Sequence, residues 1–186
     1  MAANSETIGI LILFFASPAF SVGLEIEVSG ENVNGIINID LLEDVAPLHI
    51  AQIKTLAANG SYDGVVFHRV INGFMAQTGD VQFGKDASDM SRAGMGGSAL
   101  ANIAAEFSEL PFDRGVVGMA RSQSPDSANS QFFIMLAPGY HLNNQYTVVG
   151  RVTSGMNIVD KLKLGHPSSG AIDGQPDTMR KVVVTN

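Results

Sequence analysis

Glycine and asparagine cut this chain into short apolar runs, and that restricts it to a fold made mainly of strands. Gly23 to Val28 (GLEIEV) alternates apolar and acidic residues, the period of a half-buried strand. Glu31 to Gly35 (ENVNG) reads as a turn whose Asn34-Gly35 pair cues a hairpin, and Ile36 to Leu42 (IINIDLL) returns as its partner. Val65–Val70 and Phe74–Thr78, separated by Asn72-Gly73, read as another pair. Gly115–Arg121, Ser130–Leu136, Tyr146–Thr153 and Met179–Thr185 complete a set of eight strands. Helical spacing occurs twice. Pro47 opens the first helix, with Ile50, Ile53, Leu56 and Ala57 on one face and Asn59-Gly60 as its stop. Met156 to Leu164 forms the second, with Met156, Ile158, Val159 and Leu162 in phase and Gly165 as its cap. A strand-dominated chain must cover its sheet edges, and closure into a barrel does so.

The 186 residues suit one domain, and 45% apolar with 16% charged residues specify a globular core. A net charge of −7 and the lack of any basic stripe disfavour non-specific binding to nucleic acid, which is not expected as a partner, since phosphate binding needs Lys and Arg to displace counterions. The absence of Cys removes disulfide scaffolds, thiol catalysis and Cys-based zinc sites.

Residues 1–21 differ from the rest. Ile8 to Phe15 (IGILILFF) is followed by ASPAFS, and the small residues Ala19 and Ser21 fit signal-peptide cleavage before Val22. The usual positive n-region is missing, so a buried strand or a wrongly assigned start are the alternatives. The run is too short to span a bilayer, which needs about 20 apolar residues. The expectation is a signal segment over 1–21 and one domain over 22–186, in a periplasmic or secreted protein, or a cytoplasmic one if 1–21 is retained.

Several motifs carry no chemistry. His49, His68, His141 and His166 are scattered, without zinc-ligand spacing. Gly94-Met95-Gly96-Gly97 lacks the Lys and the preceding strand of a phosphate loop and reads as a mobile part of the long Val81–Leu100 loop. No G-x-S-x-G elbow is present. Asn59-Gly60-Ser61 matches a glycosylation sequon, and a helix-ending turn explains it equally well.

Two segments remain: Phe67–Asp80 (FHRVINGFMAQTGD) and Gly118–Leu142 (GMARSQSPDSANSQFFIMLAPGYHL). On strands, Met75 and Gln77 share a face, as do Gln131 and Phe133, while Phe132 and Ile134 point to the core. Arg69, Gln77 and Gln131 among apolar residues resist a pure packing role, because buried polar groups need partners. They describe a groove that is oily in one spot and hydrogen-bonding around it.

These segments, with YDGVVFHRVINGFMAQTGD, AEF through GVVGMAR, SANSQFFIML and YTVVGRV, resemble the cyclophilin-type peptidyl-prolyl cis-trans isomerases, bacterial members above all, from about Leu24 to the C-terminus. The resemblance implies an all-β fold: an eight-stranded antiparallel closed barrel capped by two α-helices, in agreement with the strand count. It implies an isomerase of Xaa-Pro bonds acting on proline-containing polypeptides, with no metal or cofactor. Arg69 matches the catalytic arginine, grouped with Phe74 and Gln77. Phe74, Met75, Phe133 and Leu142 match the proline-pocket walls, and Gln77 and Gln131 match groups that hold the substrate backbone. Ala120 and Arg121 match the strand contacting the residue before proline, where the family often has Asn at the second position. His141 replaces the Trp of cyclosporin-sensitive members and Tyr146 a frequent His, so the resemblance implies weak cyclosporin binding. A monomer is the default. Two other readings stay open: a proline-segment binding module without turnover, and a lipocalin-like barrel with a ligand in its lumen. The intact arginine argues against the first, and nothing in the sequence asks for the second.

Overall fold

The computed structural model describes residues 22–85 and 89–186. The expected signal segment lies outside the described residues. Nine antiparallel strands form one curled sheet: β1 (Gly23–Ser29), β2 (Asn34–Leu41), β3 (Val65–Val66), β4 (Arg69–Ile71), β5 (Met75–Thr78), β6 (Val116–Met119), β7 (Phe132–Met135), β8 (Val148–Ser154) and β9 (Thr178–Thr185). Their spatial order is β3-β9-β1-β2-β8-β6-β7-β5-β4. The two outermost strands, β3 and β4, are consecutive in the chain and are joined only by Phe67 and His68. They are the broken halves of the single strand expected over Val65–Val70, so the sheet curls back to its own beginning and the eight-strand barrel reading stands. The free edge of β4 is covered by a loop. Val70 donates its N–H to the Gly170 carbonyl at 2.8 Å and accepts from the Gly165 N–H at 2.9 Å.

The strand periodicity decides what is inside. In β1, Leu24, Ile26 and Val28 are buried and alternate with half-buried Glu25, Glu27 and Ser29. Strands β6 and β7 are buried on both faces. Val117, Met119, Phe132 and Ile134 join the main core, together with Ile50, Ile53 and Leu56 of helix α1 (Pro47–Ala58). Val116, Phe133 and Met135 join a second cluster with Met75, Phe112, Leu142 and Val148, with Phe74 and Tyr146 packed at its margin. That second cluster is the floor of the site.

Helix α1 begins with Pro47 and ends at Asn59, with Gly60 at φ 74°, as its sequence predicts. Glu106, far along the chain, accepts from the Leu48 and His49 N–H groups, both at 3.1 Å, and lies 2.6 Å from His49 Nδ1. It thereby satisfies orphan donors at the helix start.

Three boundaries differ from the sequence expectation. The first hairpin turns before Asn34-Gly35, because Asn34 already pairs with Ser29. Gly35 serves instead to admit the Ile158 side chain; a Cβ there would lie 2.5 Å from Ile158 Cδ1. Helix α2 covers only Met156–Val159, not Met156–Leu164. Beyond it the backbone finds other partners: Lys163 N–H donates to Asp177 Oδ2 at 2.6 Å, and Gly165 is tied to β4. Strand β8 starts at Val148, which leaves Tyr146 in the loop that borders the groove.

Candidate active site

Residue pairing in the sheet brings the candidate groups together. Arg69 on β4 lies opposite Gln77 on β5, and Gln77 lies opposite Phe133 on β7. The outward face of these strands, a turn of 3-10 helix at Tyr140–Leu142 and the loop before β8 enclose a groove of about 490 Å3. All of Arg69, Phe74, Met75, Gln77, Ala120, Arg121, Phe133, His141, Leu142 and Tyr146 line it, along with Gln145, which carried no sequence signal. Gln131 stands just behind, in an adjoining hollow of about 550 Å3 that shares Gln77, Ala120 and Arg121 with the first.

The apolar end is made of aromatic contacts. Phe133 stacks on Phe112 with centroids 5.8 Å apart and meets Tyr146 edge-on at 5.8 Å. His141 tilts over Phe74 at 5.4 Å. Gly118 makes the Phe112–Phe133 stack possible, since a Cβ there would sit 2.6 Å from each ring.

The polar end is a directed series of hydrogen bonds. Arg69 Nε donates to the Ser169 carbonyl at 2.9 Å, and its Nη1 donates to Gln77 Oε1 at 3.2 Å. Gln77 Nε2 donates to Gln131 Oε1 at 3.0 Å. Both N–H groups of Gln131 Nε2 are taken inside the protein, by the carbonyls of Gly94 (3.0 Å) and Gly96 (2.7 Å). The N–H groups of those glycines donate to Asp80 Oδ2 at 2.8 and 3.0 Å. Asp80 is fully buried, and its Oδ1 accepts from Gln82 and Phe83 at 3.1 and 2.9 Å, an Asx turn at the end of β5. The glycine loop, expected to be mobile, is thus anchored at both its donors and its acceptors. Among the described residues Gln77 keeps one N–H and one lone pair without a partner, whereas Gln131 has both N–H groups committed to the loop and keeps one lone pair on Oε1.

Burial depresses the Arg69 guanidinium below its ordinary value, with the facing Tyr146 acting the other way. An arginine nonetheless stays protonated; its Nη1 also donates to Met75 Sδ at 3.9 Å, and among the described residues Nη2 has no partner and is left for the groove. The neighbouring His68 is buried beside Gly94, and neither ring nitrogen has a hydrogen-bond partner among the described residues. Burial pushes its pKa down to about 4. Like Gln145, Asp80 and His68 are groups to which the sequence assigns no role. An acidic residue at a strand end before a glycine-rich loop was the available signal for Asp80.

Known proteins resemble this chain in sequence and fold. The family model "Cyclophilin type peptidyl-prolyl cis-trans isomerase/CLD" matches residues 24–186. A probable peptidyl-prolyl cis-trans isomerase of Brucella suis is 54% identical over 153 residues, covering 81% of this chain and 78% of its own. A cyclophilin type isomerase of Cryptosporidium parvum, solved in the presence of the dipeptide Ala-Pro, superposes with TM-score 0.72 at 26% identity, covering 88% of this chain and 99% of its own. A Hirschia baltica cyclophilin superposes with TM-score 0.69 at 26% identity, over 87% of this chain and 73% of its own. A closed strand-rich fold, a groove joining a cation to an apolar hollow and a family match over nearly the whole described chain lead to one assignment: this protein belongs to the cyclophilin-type peptidyl-prolyl cis-trans isomerases.

Proposed function

We propose that the groove accelerates rotation about Xaa-Pro bonds through Arg69. The observation that carries this is the Arg69 guanidinium, held at one edge by Gln77 and Ser169 and open to an apolar hollow of Phe74, Met75, Phe133 and Leu142. Amide resonance sets a rotation barrier of roughly 18–20 kcal/mol for an ordinary peptide bond. X-Pro isomers are nearly balanced but exchange over about tens to hundreds of seconds. No covalent bond forms or breaks, so the reaction asks only for selective stabilisation of the twisted amide. On twisting, the prolyl nitrogen becomes pyramidal and regains its lone pair. A guanidinium N–H aimed at that nitrogen binds the twisted state more strongly than the planar one. The hollow grips the ring, and the free N–H and lone pair of Gln77 hold the flanking backbone. Gln131 acts through Gln77.

The activity predicts a split in Arg69→Ala: turnover falls steeply while peptide affinity changes little. Equal losses in both would remove the role given to Arg69.

The same reading extends to location. The apolar run Ile8–Phe15 with Ala19 and Ser21 supports export and cleavage before Val22, with exported polypeptides as clients. Mass spectrometry of the mature N-terminus tests this: a chain starting near Val22 supports export, and retained Met1 or Ala2 overturns it. His141 and Tyr146 on the groove wall support weak cyclosporin binding, which a His141→Trp variant should strengthen.

A further inference from the structure

The groove is cationic although the protein is acidic. The chain carries 18 Asp and Glu against 11 Lys and Arg. Neither the proline hollow nor the adjoining one is lined by a carboxylate, while Arg69 lines the first and Arg121 lines both. No ion pair among the described residues engages either guanidinium. Arg121 lies over the Tyr146 ring, 4.5 Å from its centroid. Its Nε and Nη2 donate to the Gln145 carbonyl at 3.2 and 2.9 Å, and Nη1 donates to the carbonyls of Ser122 and Gln123 at 2.9 and 3.2 Å. These acceptors are neutral: they fix the guanidinium in place without cancelling its charge. Among the described residues one N–H on Nη2 has no acceptor. The two hollows meet at Gln77, Ala120 and Arg121, so an extended peptide that occupies both passes this cation.

We propose that Arg121 is a specificity-determining residue, selecting proline segments that carry a carboxylate side chain on the stretch running from the proline hollow into the adjoining one. Charge selection of this kind acts through a fixed cation in a concave, carboxylate-free wall, where the field is less diluted than on open surface. It rests on the isomerase reading above and names the substrates that reading leaves open.

The test is a peptide series with one proline and otherwise uncharged flanks, carrying Glu, Gln or Lys at each position near the ring in turn. Exchange rates by NMR give turnover, and fluorescence anisotropy gives affinity. At one position or more, Glu should exceed Lys by about threefold to tenfold at low salt, in the range of a partly exposed ion pair, and the ratio should shrink towards one at high salt. Arg121→Gln should abolish the ratio and Arg121→Lys should keep its direction. A Glu-to-Lys ratio of one at every position, a ratio insensitive to salt in the native chain, or one that survives in folded Arg121→Gln overturns the proposal. Failure of the isomerase reading would look different: the Gln peptide would not be accelerated by the native chain, while anisotropy would still report the charge ratio.

Discussion

Arg69 and Gln77 are paired twice: their backbones are cross-strand partners in the β4–β5 ladder, and their side chains meet at 3.2 Å, Nη1 to Oε1. The strand register therefore aims the guanidinium. Gln77→Ala removes the acceptor and leaves Gln131 Oε1 without its donor. Misplacing a reacting group by a fraction of its hydrogen-bond reach is expected to lower kcat by about 10- to 100-fold, with a smaller change in KM. NMR exchange rates on a saturating peptide check it; an unchanged kcat would detach Gln77 from the reaction.

Asp80 supports the same series from the other end. Its four backbone donors converge on one buried carboxylate. Asp80→Asn turns an NH2 group against two of those N–H groups. The expected cost is about 2–3 kcal/mol of stability, or a Tm lower by roughly 4–12 °C for a chain of this size. Thermal unfolding measures it, and a shift under a degree would show that the loop holds without the carboxylate.

Gly118 is a packing residue with a consequence in the groove. A methyl group there would press on Phe112 and Phe133, both buried. Gly118→Ala should destabilise by about 1–3 kcal/mol. It should also displace Phe133 into the proline hollow, seen as weaker peptide binding. Calorimetric titration with a proline peptide tests this; unaltered affinity would mean the rings yield away from the groove.

His68 makes stability depend on pH. Its folded-state pKa of about 4 lies below the ordinary 6.5, chiefly because burial disfavours the charged ring. The unfolded chain therefore binds the extra proton in that window. The contribution of the neutral ring is fully present above the unfolded value, declines as pH falls through the window, and is gone below the folded value. Its size is on the order of 3 kcal/mol. Urea midpoints from pH 7 to pH 4 should show that slope in the native chain and a shallower one in His68→Asn. Equal slopes would assign the acid sensitivity elsewhere.

Alternation made much of this legible. Phe132 and Ile134 enter the core while Phe133 faces the groove, as their spacing predicts. What stayed hidden depends on partners distant in sequence. The Asp80 carboxylate is explained only once Gly94 and Gly96 are seen to fold back on it. Gln131 reads as a substrate ligand in the sequence, and only the fold shows that both of its N–H groups are taken by these two glycines, which leaves its Oε1 for the groove side. Helix α2 gives way after Val159 to tight turns, with the Lys161 and Leu162 N–H groups on the Ile158 and Val159 carbonyls, before Asp177 takes the Lys163 N–H. Asn34-Gly35 misplaces the hairpin because a glycine can mark a close approach, here of Ile158, as well as a turn.

The most direct test of the central claim is the cis-to-trans relaxation of a short Xaa-Pro peptide with residues 22–186, beside the same chain carrying Arg69→Ala. The account predicts rapid relaxation with the native chain and near-loss of acceleration in the folded variant. Equal acceleration by both chains, or none by the folded native chain, would contradict it.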